Sequence, residues 1–560
     1  MDARSQLHAL RQLDPSQLPP EEAQRAWSLL LGLCDQLLTE QQALRAALAA
    51  PGKRRKAKGK GRGPQPPSAS TGAPAPENHS SEAERREAEG RQPWDKTGKK
   101  ADLRIDLERV LTVDSTALPP DAVFVRYEEV VVQDLVLTRR NTRFLRARFR
   151  SATTGKSYLA PLPPGYSGQF GPGVRSLALC LGYGANVSMP LIHRFFSQAG
   201  CVVSRGQVSR FLTERLEGFV TEAAAAIRTA VAHHPWLQLD DTRSGVRTEH
   251  GCCHVLGNDL ATSYRTTDRG DRRSVVEALL FGAPVPCRLD GRAFACLERW
   301  GVGVRVRQRL EELAASAPTA EIEFLRWLDL RFPVLCGDTR QQINAAAALA
   351  GYHHQTAVPR VQSLLTDDAS LFHGLVEGQA LCWVHDFRHY LRLEPQRPFQ
   401  ARQRELYKRR YWKLYRQLLA YQRKPTAAAR QRLEQAFDRL VAEAKAPLFL
   451  AECIARTRKN KEKLLQVLEH PELPLHNNAA ELAVRRRVRK RDVSFGPVSR
   501  AGRQAWDTMQ GLAGTVEKLG VSFWSYLEDR IHEAGQIPPL AELISRKASQ
   551  KRRPHSWAAT

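Results

Sequence analysis

Apolar positions along the chain change period several times, and each change marks an element. Over residues 20–50, Trp27, Leu30, Cys34, Leu37, Gln41, Leu44 and Leu48 fall on alternating steps of three and four. That is the a/d seam of an amphipathic helix, which either self-associates as a coiled coil or lies along the rest of the protein. Residues 1–50 are therefore read as one N-terminal helix. From 104 the period shortens to two. AVFVRYEEVVVQDLVL and TRFLRARFRSATTGKSYLAPL alternate and are rich in β-branched residues, with TTGK as a turn signal. This predicts a small β-rich module over 104–165. Helical spacing returns over 166–230, where PLIHRFFSQAG, CVV and SRGQVSRFL give helix, Gly-containing turn, helix. The outline is that of a helix-turn-helix, whose second helix would offer Arg205, Gln207, Ser209 and Arg210 to a major groove. An ordinary helical hairpin has the same pattern.

Residues 231–535 follow a different plan. WLQLD, CCHVLGND and TSYRTTD read as three short strands, SVVEALLF as a helix, and VQSLLTDD and ALCWVHDF as two further strands. Helical patterns fill 283–360 and 391–470, and another helix begins near Glu481. The fold class expected is thus multidomain α/β, with a mixed five-stranded sheet flanked by helices and two helical insertions. A basic tail, 536–560, closes the chain.

Charge changes the picture. The 560 residues carry 85 Lys+Arg against 59 Asp+Glu, a net +26. Such a surplus favours a polyanionic partner, because each neutralised phosphate releases counterions. Between the N-terminal helix and the β-rich segment, residues 51–103 are rich in Pro, Gly, Ser and Lys and include KRRKAKGKGR. This composition buries too little apolar surface to fold alone and predicts a disordered basic linker. A membrane is the weaker partner, since no apolar run reaches the ~18 residues of a spanning helix. MDARSQLHALRQ is polar and unlike a signal peptide, and the ten cysteines are scattered. A soluble cytoplasmic protein with reduced thiols is expected.

Two predicted strands end in paired acids, Asp240–Asp241 and Asp367–Asp368, and one helix opens on Glu481. Carboxylates at the carboxyl ends of strands, joined by one from a helix, can hold Mg²⁺ or Mn²⁺ through oxygen ligands. Each also has a simpler reading. Asp ends strands as a turn or cap residue, and Asn478 with Glu481 matches a capping box.

The motifs around these acids resemble those of one family. LQLDDT is similar to the LHADET of the insertion sequence sixty-six family of DDE transposases, and LLTDDASLF resembles the segment carrying its T-D-G-Y. CWVHDFRHY looks like its CWAHARRKF, and HNNAAELAVRRRV like its DNNAAERALRPVV, the most specific match. GYGANVSMPLIHRFF and GRQAWDTMQGLAGTVEKLGVSFWSYLED are similar to the segments before and after the family's core. The resemblance spans most of 104–530. It implies a ribonuclease H-like core in which Asp240, Asp367 and Glu481 bind two Mg²⁺ or Mn²⁺ ions. It also implies cleavage at the ends of a mobile element and strand transfer into target DNA.

By the same resemblance, Cys382, Trp383, His385, Asp241, Asn477 and Asn478 support the site. Arg485, Arg486, Arg487, Arg489 and Lys490, spread round the helix, would grip phosphates. The expected partner is duplex DNA, with a homodimer or higher oligomer assembled on it and small companion proteins from the same element. The protein would be bacterial and nucleoid-associated. Cys382 and His385, with His250, Cys252, Cys253 and His254, are zinc-ligand types. In the strand order three-two-one-four-five, however, the second and fifth strands are not neighbours, so no zinc is expected. His476 and Leu482 replace the family's Asp and Arg, and no CxxC zinc module precedes the core. A transposase-derived DNA-binding protein that no longer cuts is the alternative, and a nuclease without strand transfer shares the same site.

Overall fold

A computed structural model of the chain describes residues 105–113, 119, 121–166, 168–244, 250–442 and 447–550. The N-terminal helix and the basic linker expected before residue 104 lie outside the described residues.

The first regular structure is an antiparallel hairpin of β1 (Arg148–Arg150) and β2 (Ser157–Leu159), closed by Gly155 at φ +67°. The β-rich module expected over 104–165 reduces, among the described residues, to this hairpin. The β-branched run 123–137 is exposed and pairs with no strand there, because no apolar surface covers it.

Next come α1 (Pro172–Leu179), α2 (Met189–Gln198), α3 (Arg205–Thr213) and α4 (Glu217–His233). Pro172 opens α1, where its missing N–H costs nothing. Ser204 caps α3 by accepting from the Gln207 amide at 3.1 Å. Helices α2 and α3 follow one another across a turn around Gly200 (φ +75°).

Five strands make the central sheet: β3 (Trp236–Arg243), β4 (Cys252–Gly257), β5 (Thr262–Thr267), β6 (Ser363–Thr366) and β7 (Gly378–Leu381). Their order is β5-β4-β3-β6-β7. The three-stranded meander is antiparallel, while β3–β6 and β6–β7 are parallel. This is the mixed five-stranded sheet anticipated, in the third-second-first-fourth-fifth order. Burial on both faces explains the near-continuous apolar character of β4 and of the first half of β3.

The segment between β5 and β6 is helical, as expected: α5 (Arg272–Leu279), α6 (Gly291–Arg299), α7 (Val304–Leu313), α8 (Glu321–Arg331) and α9 (Gly337–His354). After β7 come α10 (Trp383–Leu391), α11 (Pro398–Arg423), α12 (Ala427–Leu440), α13 (Ala451–Lys459) and α14 (Lys461–Leu464). These build a second apolar core around Trp383, Phe387, Tyr411, Tyr415 and Phe437.

The chain ends in α15 (Asn478–Ser494), α16 (Arg500–Leu519), α17 (Phe523–His532) and α18 (Leu540–Gln550). Helix α16 lies close on β5. A Cβ at Gly514 would stand 3.1 Å from the Thr262 side chain, so small residues set that distance. The tail expected from 536 is, over 540–550, a helix whose Leu540, Ile544 and Ala548 are buried. Their four-residue spacing forms one apolar stripe. The remainder, 551–560, lies outside the described residues.

Candidate functional site

Side chains alternate across a strand, so Asp240 and Asp241 project to opposite faces of the sheet. The face shared by Gln238 and Asp240 is the one covered by α15. Gln238 Nε2 donates to the His476 carbonyl at 2.7 Å, and the Tyr264 hydroxyl donates to the Ala483 carbonyl at 2.9 Å. Cys253, Val255 and Tyr264 pack there against Ala483 and Val484. Strand β6 runs beside β3 with Trp236 opposite Ser363, Leu237 opposite Leu364 and Gln238 opposite Leu365. Two residues further along both chains, Asp240 and Asp367 occupy corresponding positions.

The segment before α15 is tied to β3 and to the residues that follow β7, which sets Glu481 near Asp240. The Trp383 amide donates to the Leu475 carbonyl at 3.0 Å, and the Asn477 amide to Cys382 Sγ at 3.3 Å. Asn477 Nδ2 donates to the Leu239 carbonyl at 3.0 Å, next to Asp240. Asn477, not Asn478, is the N-cap of α15, and it makes no side-chain capping bond. The capping-box reading of Glu481 therefore does not hold. Its side chain is buried, with Oε1 3.7 Å from His385 Nδ1.

Burial pushes the Asp240 carboxyl up to about 8, and the neighbouring charges of Glu481, Asp241 and Asp367 push in the same direction. An amide bond from Asp241 at 2.9 Å opposes them. Glu481 and Asp367 thus lie near enough to Asp240 for their charges to oppose its ionisation, which a bound cation would favour. An all-carboxylate donor set of this kind suits hard divalent ions such as Mg²⁺ or Mn²⁺. A cavity of about 240 Å³, lined by Asp367, His385, Arg388, His389, Arg392 and Arg456 among others, opens beside them.

The second acid of each pair does something else. Asp241 lies in register with His254 and clusters with it and Cys252 on the opposite face. Burial raises Asp368, but bonds from Asn460, Arg456 and His373, each at 3.0 Å, outweigh it and hold this carboxyl below its ordinary value. Trp383 is fully buried and donates through Nε1 to the Leu464 carbonyl at 2.9 Å, pinning the insertion to the site.

Residues 342–505, which include Asp367, Glu481 and the intervening Cys382–His385 segment, match the family model described as Transposase IS66 family. The chain belongs to the IS66 transposase family. An uncharacterised protein of Sinorhizobium fredii, y4jO, is 34% identical over 319 residues, which is 56% of this chain and 97% of that protein. No solved structure matches.

For an IS66 family chain the basic helix α15 was expected to present cations all round. It does not. Arg487 is 1% exposed and donates to Asp507 and Thr266 at 2.5 Å and to Gln510 at 2.8 Å. Lys490 is buried, donates to the carbonyls of Gly182 (2.6 Å) and Val187 (3.3 Å), and has its pKa lowered by burial to about 8. Arg487 and Lys490 stand three residues apart on the inward face, in line with Glu481 and Val484. Neither is available to DNA. Arg489 is exposed and Arg485 and Arg486 are half-buried, with Arg486 paired to Glu517. On α3, Arg205 and Arg210 are exposed, and Gln207 accepts from Arg210 at 2.7 Å.

Sequence reasoning missed Asp507 and Gln510, although the stripe of buried positions along α15 signalled that something polar had to meet Arg487. It also missed Asp386. This buried carboxyl is pushed up to about 6 by burial, against bonds from Thr457 and Tyr411 that lower it.

Proposed function

We propose that this protein is a transposase that cuts DNA at the ends of its mobile element and joins the freed 3′-hydroxyl to target DNA. Asp240, Asp367 and Glu481 are the metal-holding triad. The observation that supports this reading is that Asp240 and Asp367 occupy corresponding positions just past the β3–β6 pairing, while Asn477, four residues before Glu481, is bonded to Leu239 and Cys382. The strand order and directions are those of a ribonuclease H-like core, which supports it.

Within this reading the chain's own residues do the following. Asp240, Asp367 and Glu481 would hold the divalent ions. His385 holds Glu481 in place. Arg388, Arg392 and Arg456 line the adjoining cavity and receive the phosphate backbone. Arg485 and Arg489 on α15, and Arg205, Gln207 and Arg210 on α3, extend the contact along duplex DNA. Divalent ions, when bound, supply activation of the attacking oxygen and stabilisation of the leaving oxygen.

The test uses the full chain and labelled duplexes taken from the DNA flanking its gene. Asp240→Asn, Asp367→Asn and Glu481→Gln should each abolish cleavage in Mg²⁺ while binding in Ca²⁺ is kept. Near-normal cleavage by Glu481→Gln would refute the role given to that residue. A wild-type chain that binds the ends and never cuts would favour the DNA-binding alternative. Cutting without joining would leave a nuclease.

A further inference from the structure

A second cluster of ligating side chains lies on the sheet face opposite the acids. A ring nitrogen of His254, Sγ of Cys252 and a carboxylate oxygen of Asp241 all lie within 4.8 Å of one another. His254 is fully buried and Cys252 is 8% exposed. Antiparallel pairing fixes the set. Asp241 stands opposite His254, and Cys252 lies two residues from His254 on the same face of β4.

The hydrogen bonds decide which nitrogen of His254 carries the proton. Nε2 is 3.3 Å from both Ser274 Oγ and Thr267 Oγ1. Ser274 Oγ already donates to the Asp271 carbonyl at 2.7 Å, and Thr267 Oγ1 to the Arg269 carbonyl at 2.7 Å. Each hydroxyl has one proton to give, so toward His254 both can only accept. The ring proton is therefore on Nε2, and Nδ1 presents a bare lone pair. That atom is buried and has no hydrogen-bond partner among the described residues. A buried lone pair left unmatched is costly, and this ring belongs to the cluster with the Cys252 thiol and the Asp241 carboxylate.

We propose that Asp241, Cys252 and His254 form a binding site for a zinc-class divalent ion, separate from the acids on the other face. A thiolate, an imidazole and a carboxylate are the donors such an ion prefers, with a fourth position left for water. The hydroxyls on Nε2 are the outer contacts that orient a ligating imidazole. The ion would clamp the loop end of the β3–β4 hairpin, where Arg243 pairs with Cys252, one residue from Asp240. This differs from the absence of zinc expected from the sequence. That expectation considered only a site joining β4 to the strand before Cys382, and the present site needs β3 and β4 alone.

Cobalt(II) titration of the chelator-stripped full chain tests this. Oxygen-bound cobalt at the acid triad gives no thiolate charge-transfer band, whereas cobalt at this site does. The expected result is a near-ultraviolet band saturating at one equivalent and bleached by zinc. It should be lost in Cys252→Ser and His254→Gln and kept in Cys382→Ser, which removes the thiol near Glu481. No band in the folded wild-type chain overturns the proposal, whatever the variants do to folding. So does a band that survives Cys252→Ser or disappears in Cys382→Ser.

Discussion

His385 Nδ1 faces Glu481 Oε1 at 3.7 Å while its Nε2 takes a hydrogen bond from the Arg388 guanidinium at 3.2 Å. Arginine can only donate, so Nε2 is the acceptor and the proton of the neutral ring sits on Nδ1, toward the carboxylate. His385 is thereby a positioning residue for Glu481. His385→Ala should slow metal-dependent cleavage ~10–100-fold, the usual effect of losing a partner behind a metal ligand. His385→Asn, whose Nδ2 stands near the place of Nδ1, should recover part of that loss. Wild-type rates in the Ala variant would remove the role.

The adjacent acids of the second pair should separate cleanly. Asp367→Asn abolishes cleavage. Asp368→Asn loses charge-assisted bonds to Arg456 and His373 and should cost roughly 1–3 kcal/mol of stability, with cleavage kept within ~10-fold once folded. Denaturant titration and a single-turnover cleavage assay on the same preparations check both. Loss of cleavage in folded Asp368→Asn would count against the division of labour.

Two arginines on one helix should behave as opposites. Arg487→Ala leaves Asp507 buried without its cation and should destabilise the fold by ~3–5 kcal/mol. Arg489→Ala should leave stability alone and flatten the salt dependence of DNA binding by up to ~0.9 for each phosphate no longer neutralised. Equal salt slopes for wild type and Arg489→Ala would take that residue out of the DNA interface.

Asp386 sets a pH dependence. Its carboxyl rises from an ordinary 3.8 to about 6 in the fold, so the stability tied to its protonated form is full below about 4 and lost as pH climbs through 6. Wild type should lose on the order of 3 kcal/mol from this group between pH 4 and pH 7. Asp386→Asn can still accept from Tyr411 and Thr457 and should lack that slope. Chemical unfolding of both proteins across this range decides it, and parallel curves would reject the assignment.

The sheet was legible because LQL and SLLT are short apolar runs, buried throughout, that lead into acids at corresponding positions. Insertions were legible as helices from their apolar spacing. The acids were found by resemblance more than by spacing, since a capping box explained Glu481 equally well until Asn477 proved to be the cap. Arg487 and Lys490 were misread because charge was counted along the sequence, while their fate was set by Asp507 and by carbonyls distant in the chain. The exposed β-branched run over 123–137 was misread for the converse reason. Period two promises a strand only if something covers one face.

The β3–β6 pairing, in register up to Gln238 and Leu365, sets Asp240 and Asp367 two residues further along their chains. Helices α6 to α9 share the apolar core of β3 and β6, so length is free only in the turns between them. A single residue inserted within LQLD would instead turn the carboxylate to the far side of the sheet. Domain grafts for engineering this protein therefore belong in the turns between the helices that join β5 to β6, and never inside β3, where phase is everything.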